Sequence, residues 1–421
     1  METEVIENLM KFIHAADVHL DSPLCGLVRY EGAPLAQMQT ATRRALINLV
    51  DLACREQVDF VIFSGDLYDG DWKDYNTGLF FNQQMVRLRD QQIQVFIVYG
   101  NHDAENVMTR QLRLPDNVQL FASREPQTYL LENQGVALHG QSFATKAVTD
   151  DLSARYPVAV PQFFNIGVLH TALNGREGHA PYAPCSLANL ITQGYDYWAL
   201  GHIHHRDVVA QQPYVVFPGN LQGRHSRETG AKGCYLVTVS GQQVIDFTFY
   251  SLDVMRWEMC TIDVSDVTEI DAILDRTRDL VQVMMQQAEN RPLALRFALT
   301  GHSTIHAELQ RQNLRWINEL RSTVMEIGAG MVWVEKVLLQ TQPSRKIRHH
   351  PEGPLKELVE ALRTLPQDAQ TLQELSNQFR QLKNALPVEI VDPDPQNPET
   401  IRQALAQVES LLLARLHAVT T

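Results

Sequence analysis

The stretch Phe60-Val61-Ile62-Phe63-Ser64-Gly65-Asp66-Leu67-Tyr68-Asp69 runs an apolar segment directly into a glycine and an acid. An apolar run this short, closed by a turn signal, reads as a strand buried on both faces. Gly65 lets the backbone turn tightly as it leaves, so Asp66 stands at the strand's carboxyl end. The same grammar recurs on either side. Phe12-Ile13 leads to Asp17-Val18-His19, and Val95-Phe96-Ile97-Val98 leads to Gly100-Asn101-His102-Asp103. Ile166-Gly167-Val168-Leu169 leads to His170, and Tyr197-Trp198-Ala199-Leu200 to Gly201-His202-Ile203-His204.

Helical patterns separate these runs. Thr40 to Gln57 carries Leu46, Leu49, Val50 and Ala53 at helical spacing,. Asn76 and Thr77 read as the cap of a second helix with Phe80, Phe81, Met85 and Leu88,. Buried strands alternating with helices predict an α/β fold over residues 11–250, a two-sheet sandwich flanked by helices. The β-rich stretches after Phe217 are expected to form the second sheet. From about Asp253 the texture changes. Met255–Val264, Leu293–Leu299 and Met331–Leu338 read as strands, and Val267–Gln287 and Ile305–Val324 as helices. That predicts a small α+β domain at 253–342. Pro343–Pro354 reads as a linker, and residues 355–421 as a helical C-terminal region broken at Pro387–Pro398,.

At 421 residues the chain is too long for one ordinary domain, and its 44% apolar content suffices for more than one core,. No stretch approaches the roughly twenty apolar residues of a membrane span. Met1–Met10 is acidic and lacks a signal-peptide pattern,. It reads as an upstream extension, with Met10 as an alternative start. Cys25, Cys54, Cys185, Cys234 and Cys260 are odd in number and form no CxxC pair. That disfavours a disulfide framework and a thiolate zinc site, and free thiols in a reducing cytoplasm are expected. The net charge of −13 speaks at first sight against a nucleic-acid partner,. Metal-binding carboxylates enter that sum, however, and bound cations reverse the local sign. Basic patches such as Arg345-Lys346-Ile347-Arg348 also persist.

Open α/β sheets gather their sites at the carboxyl ends of strands, where the departing loops converge. Each polar cluster alone has a bland reading: a Gly-Asp pair is commonly a turn, and one histidine commonly a satisfied core residue. Their succession on strand ends points instead to a two-metal centre. Carboxylate, amide and imidazole ligands without thiolate suit manganese, iron or zinc, and weigh against magnesium alone. Asp66 is placed to bridge two ions roughly 3.5–4 Å apart that would activate water for attack on phosphorus.

The order and spelling of the segments from His14-Ala15-Ala16-Asp17-Val18-His19-Leu20-Asp21-Ser22-Pro23-Leu24 to Leu200-Gly201-His202-Ile203-His204 resemble the calcineurin-like metallophosphoesterase superfamily. Within it they are most similar to DNA repair exonucleases of the SbcD and YhaO type. The resemblance implies that Asp17, His19 and His204 hold one metal and that Asp66 bridges. Asn101, His170 and His202 would hold the other, and the ions would be Mn2+. It further implies that His102 faces the scissile phosphate, with Asp103 orienting it. Asp69 occupies the position where some relatives carry a second active-site histidine. Arg206, Arg224 and His225 are candidates for substrate contact, with His205 and Arg227 beside them. His302 and His306 read as the start of a helix, and His349-His350 as linker surface.

The resemblance also implies a capping role for residues 253–342, DNA as substrate and a homodimer. An SMC-like ATPase of the SbcC or YhaN kind would dock on the stripe Leu355, Leu358, Val359 and Leu362, whose other reading is packing on its own chain. Two further functions stay open: a nucleotide or small-molecule phosphodiesterase, and a non-catalytic DNA-end scaffold. A protein phosphatase is disfavoured because Gly70 stands where that branch has arginine.

Overall fold

The computed structural model describes residues 9–22, 38–69, 75–105, 113–173, 182–344, 354–385 and 394–417. Pro23, Leu24, Cys25, Gly70, the basic patch 345–348 and His349-His350 lie outside them. The chain divides into two compact units, Met1–Glu258 with Asn290–Ala294, and Met259–Glu289 with Leu295–Thr421.

The first unit holds two six-stranded sheets. In the first, β1 (Leu9–Ala15), β2 (Phe60–Ser64), β3 (Gln94–Val98) and β4 (Val118–Leu120) run parallel. Phe12 lies opposite Phe60, and Phe60 opposite Gln94. The second has the order β5 (Gln127–Leu131), β6 (Val136–Gly140), β7 (Phe164–His170), β8 (Tyr197–Gly201), β10 (Tyr214–Phe217) and β9 (Asp207–Gln211). Its β6, β7, β8 and β10 are parallel, and its edge strands antiparallel. Phe12, Phe60, Ile62 and Phe96 meet Leu138, Ile166, Val168 and Tyr197 in one core. Helices α1 (Ala41–Glu56) and α2 (Asn76–Asp90) cover the other face of the first sheet through Leu46, Leu49, Phe81 and Met85. Two-sided burial is why these strands read as unbroken apolar runs.

The expectation for the stretches after Phe217 is corrected. β11 (Gly233–Ser240) and β12 (Gln243–Ser251) extend the first sheet, β11 lying antiparallel to β1. β11 is apolar on both faces: Tyr235, Val237 and Val239 enter the inter-sheet core, while Cys234 and Leu236 face the helix side. Such a strand needs a place inside a sheet. Met10 pairs with Val239 inside β1. The capping expectation for α2 also fails, since Tyr75 is its N-cap and no side chain caps it. Thr77 Oγ1 instead donates to Asp21 Oδ2 at 2.5 Å, which Arg43 also grips with two bonds of 2.6 Å to that carboxylate.

The second unit contains most of the three-stranded sheet β13 (Arg256–Asp263), β14 (Leu293–Ser303) and β15 (Val332–Pro343), with the long helix Asp271–Gln287. The single helix expected over Ile305–Val324 is two, His306–Arg311 and Asn313–Gly328. His306 opens the helix His306–Arg311 as expected, though buried and bonded to Thr341 Oγ1 at 2.8 Å, whereas His302 lies on β14. The tail forms helices Pro354–Thr364, Ala369–Gln378, Arg380–Ala385 and Pro398–His417, burying Leu372 and Ile401. Leu358 is exposed, while the side chains of Leu355 and Val359 lie outside the described residues. Among the described residues no helix is long and apolar enough to cross a membrane. Cys54, Cys185, Cys234 and Cys260 form no disulfide among the described residues.

Candidate metal centre

Every expected ligand sits where a parallel strand ends. Asp17 and His19 follow β1, Asp66 follows β2, and Asn101 opens the short helix α3 (Asn101–Glu105) after β3. His170 is the last residue of β7, and His202 and His204 follow β8. Face-to-face packing of the two sheets brings both sets of loops onto one rim. The backbone there is strained, since Asp17, His19, Asp66 and His202 have φ of 49°, 44°, 50° and 101°. Residues held in such regions cost roughly 1–3 kcal/mol each and need a surrounding structure that fixes them. Here the first two loops zip together through Asp17 N–H to Gly65 O at 3.0 Å, His19 N–H to Asp66 O at 3.0 Å and Leu20 N–H to Leu67 O at 2.9 Å. Gly65 and Gly100 leave the room: a Cβ on Gly65 would fall 2.3 Å from His170 Nδ1, and one on Gly100 2.3 Å from Asp66 Oδ1.

Asp17, His19 and His204 form one cluster. His204 gives its Nδ1–H to Glu228 Oε1 at 2.7 Å, which leaves a lone pair on Nε2,. That atom lies 3.1 Å from His19 Nε2 and 3.8 Å from Asp17 Oδ1. Asp69 Oδ1 stands 3.3 Å from the other nitrogen of His19. Burial, then the Arg224 guanidinium, push the His19 imidazole down to about 3, so it is a neutral ligand. Converging lone pairs repel one another unless a cation lies among them, and this donor set fits one.

Asp66, His170 and His202 form the second cluster. His170 donates Nδ1–H to Ser64 O at 2.9 Å, turning Nε2 towards Asn101 Oδ1 at 3.1 Å and Asp66 Oδ2 at 3.3 Å. Burial works against a charged His170, but the carboxylates of Asp66 and Asp17 override it and hold the imidazole up at about 9. Burial would likewise raise Asp66, yet His170, then His102 and His19, hold it well below the usual carboxylate range. The same Asp66 Oδ2 lies 4.0 Å from His19 Nε2, so this carboxylate stands between the clusters. It is the position a bridging ligand requires.

His102 lies beside the clusters with its side chain 34% exposed, and its backbone N–H donates to Asp66 Oδ1 at 3.0 Å. The expectation that Asp103 orients it is corrected. The fully buried Asp103 carboxylate accepts from Leu67 N, Tyr68 N and Gly100 N at 3.2, 3.0 and 3.1 Å. It therefore clamps the loop after β2 to the loop after β3. Burial, then the neighbouring Asp66, push it up to about 7. The carboxylate facing His102 is that of Asp69, whose Oδ1 lies 3.4 Å from His102 Nδ1. Asp69 closes a third group with His19 and His102, and was visible in the sequence as the second acid of Gly-Asp-Leu-Tyr-Asp.

The substrate candidates separate. Arg224 is committed to acids, with 3.1 Å to Glu228 Oε1 and 3.6 Å to Asp69 Oδ1. His225 Nε2 lies 3.5 Å from Glu228 Oε1. Arg206 stacks over the Phe249 ring at 4.0 Å, and His205 and Arg227 are exposed. Glu228 was missed altogether. It is buried, accepts from His204, Arg224 N–H at 2.7 Å and Asn220 Nδ2 at 2.9 Å, and lies in a loop with no motif to mark it.

A family model described as calcineurin-like phosphoesterase matches residues 10–206, and one described as metallophosphoesterase YhaO, middle domain, matches residues 257–342. The chain is 36% identical over 296 residues to the metallophosphoesterase YhaO of Bacillus subtilis (strain 168), covering 69% of this chain and 72% of that protein. It is 22% identical over 292 residues to the DNA double-strand break repair protein Mre11 of Sulfolobus acidocaldarius, covering 66% and 70% of the two chains. Over 323 residues it is 22% identical to SbcD, a component of the nuclease SbcCD of Staphylococcus epidermidis, covering 70% and 80%.

Proposed function

The chain belongs to the calcineurin-like metallophosphoesterase family, and from that premise we propose that it is a two-metal DNA phosphodiesterase, a nuclease acting in DNA repair. The observation that carries the reading is the Asp66 carboxylate, within 3.3 Å of His170 Nε2 and 4.0 Å of His19 Nε2. In this reading Asp17, His19 and His204 hold one ion, Asn101, His170 and His202 the other, and Asp66 both. Two Mn2+ ions, when bound, supply Lewis acidity that makes water a competent nucleophile at neutral pH and offsets charge on the phosphoryl oxygens.

The protein's own groups do the rest. Ser64 O and Glu228 fix the ring orientations of His170 and His204 so that each turns its Nε2 inward,. His102, the most exposed imidazole of its group, is placed to meet the phosphate and to protonate the leaving oxygen,. Asp69, whose Oδ1 lies 3.4 Å from its Nδ1, holds the ring.

Relatives named as a nuclease and as a double-strand break repair protein support DNA as the substrate class. In the same reading residues 253–342 cap the catalytic domain and select DNA shape. An SMC-like ATPase docks on the helical region 355–421, where Leu358, Phe379 and Leu382 are exposed.

The test is hydrolysis of end-labelled duplex and single-stranded DNA with Mn2+, Mg2+ or chelator, beside bis-(p-nitrophenyl) phosphate. Manganese-dependent DNA cleavage is expected, with His102→Ala lowering kcat by about 10²–10⁴ while retaining metal. Hydrolysis of the generic ester alone would refute DNA as the substrate.

A further inference from the structure

On the same rim as the candidate ligands lies a cavity of about 350 Å3, lined among others by Arg124, Gln141, Ser142, Thr145, Asp150 and Arg155. Gln141 and Ser142 of its lining begin the segment that leaves the carboxyl end of β6 and runs on to Phe143. Ser142 Oγ donates to Phe121 O at 2.7 Å and accepts from Tyr99 N at 3.0 Å, and Phe143 N–H donates to Tyr99 O at 2.9 Å. Tyr99 leads directly into Gly100-Asn101-His102. The Phe143 ring stands edge-on to His170, with centroids 5.5 Å apart. One segment thus lines the cavity at Gln141 and Ser142 and packs against His170 at Phe143.

Several arginines of the chain are matched to acids, as in Arg43 with Asp21, Arg256 with Asp253 and Arg296 with Glu335. Arg124 and Arg155 make no side-chain hydrogen bond or ion pair among the described residues. Two uncommitted guanidiniums therefore line one concavity against the single acid Asp150, in a protein of net charge −13. Guanidinium forks suit phosphate oxygens, and Gln141, Ser142 and Thr145 add neutral polar groups.

We infer that this cavity seats a second phosphate of the substrate strand, flanking the one held for hydrolysis, through Arg124 and Arg155. The inference rests on the nuclease reading and adds to it the direction of the strand: past Phe143 and over the end of β6.

The experiment is steady-state cleavage of an end-labelled single-stranded oligonucleotide by the full chain with Mn2+ across a salt series. The combined variant Arg124→Gln, Arg155→Gln is expected to raise KM about tenfold with kcat within about twofold. The log–log salt slope should fall by about 0.7, the value for one phosphate neutralised on a single strand. Arg124→Lys with Arg155→Lys, which keeps the charge, should restore most of the slope. Oligonucleotide cleavage with the same KM and slope in the glutamine variant would overturn the cavity assignment alone. An equal rise in KM for a p-nitrophenyl ester of a mononucleotide would overturn the strand and give the cavity to a free nucleotide. Should the native chain hydrolyse bis-(p-nitrophenyl) phosphate and leave every oligonucleotide whole, the nuclease reading fails first and the strand assignment with it.

Discussion

Asp69 faces His102 and Asp103 follows it in the chain, yet their oxygens do different things. Asp103 is saturated by three backbone amides, so Asp103→Ala leaves buried donors unpaired. We expect a loss of about 3 kcal/mol or more, measured by denaturant unfolding. Asp69 faces two imidazoles, and Asp69→Asn should lower kcat about 10–100-fold with far less effect on stability, as for other groups that orient a functional histidine,. Glu228 is a third case. It is held well below the usual carboxylate range against the pull of burial, by Arg224 and then by His204. A depressed carboxyl stabilises the fold above its unfolded value near 4.5, and that contribution is lost as pH falls through the depressed value,. The stability difference between native protein and Glu228→Gln, followed by thermal unfolding from pH 7 downward, should therefore be full above pH 4.5 and shrink below it. The same variant should bind Mn2+ about 10–100-fold more weakly.

At the scale of elements, strand and loop pattern were legible because each strand that leads to a candidate ligand is buried on both faces and its loop begins where the apolar run stops. The candidate metal ligands could be named for that reason. Sheet membership was not legible: β11 joins β1 through backbone pairing, which leaves no mark on the sequence beyond two apolar faces. Glu228 and the Asp103 clamp were hidden similarly, since both act through contacts between segments far apart in the chain. The Asp69 role was spelled out in the sequence, but choosing it over Asp103 required the direction of each carboxylate. Loop packing also makes a prediction. A methyl at Gly100 would fall 2.3 Å from Asp66 Oδ1 and 2.8 Å from His170, so Gly100→Ala should displace the bridging carboxylate. We expect a stability cost of about 1–3 kcal/mol and a loss of metal binding visible by calorimetry.

Across the whole molecule, two sheets present their strand ends on one rim, so ligands from both are tied together only when the sandwich is closed. Ion binding and folding of the first unit should then be linked. Saturating Mn2+ at about a hundred times its dissociation constant should add about 2.7 kcal/mol to unfolding, removable by chelator and read as a shift in Tm. The most direct test of the account is metal content, measured by elemental mass spectrometry on native protein and on Asp66→Ala after loading with Mn2+ and desalting. The account expects about two ions per chain in the native protein, as a two-metal site demands, and a loss of one or both in the variant. Two retained ions after removal of Asp66 would contradict it, because the carboxylate between the clusters would then hold neither.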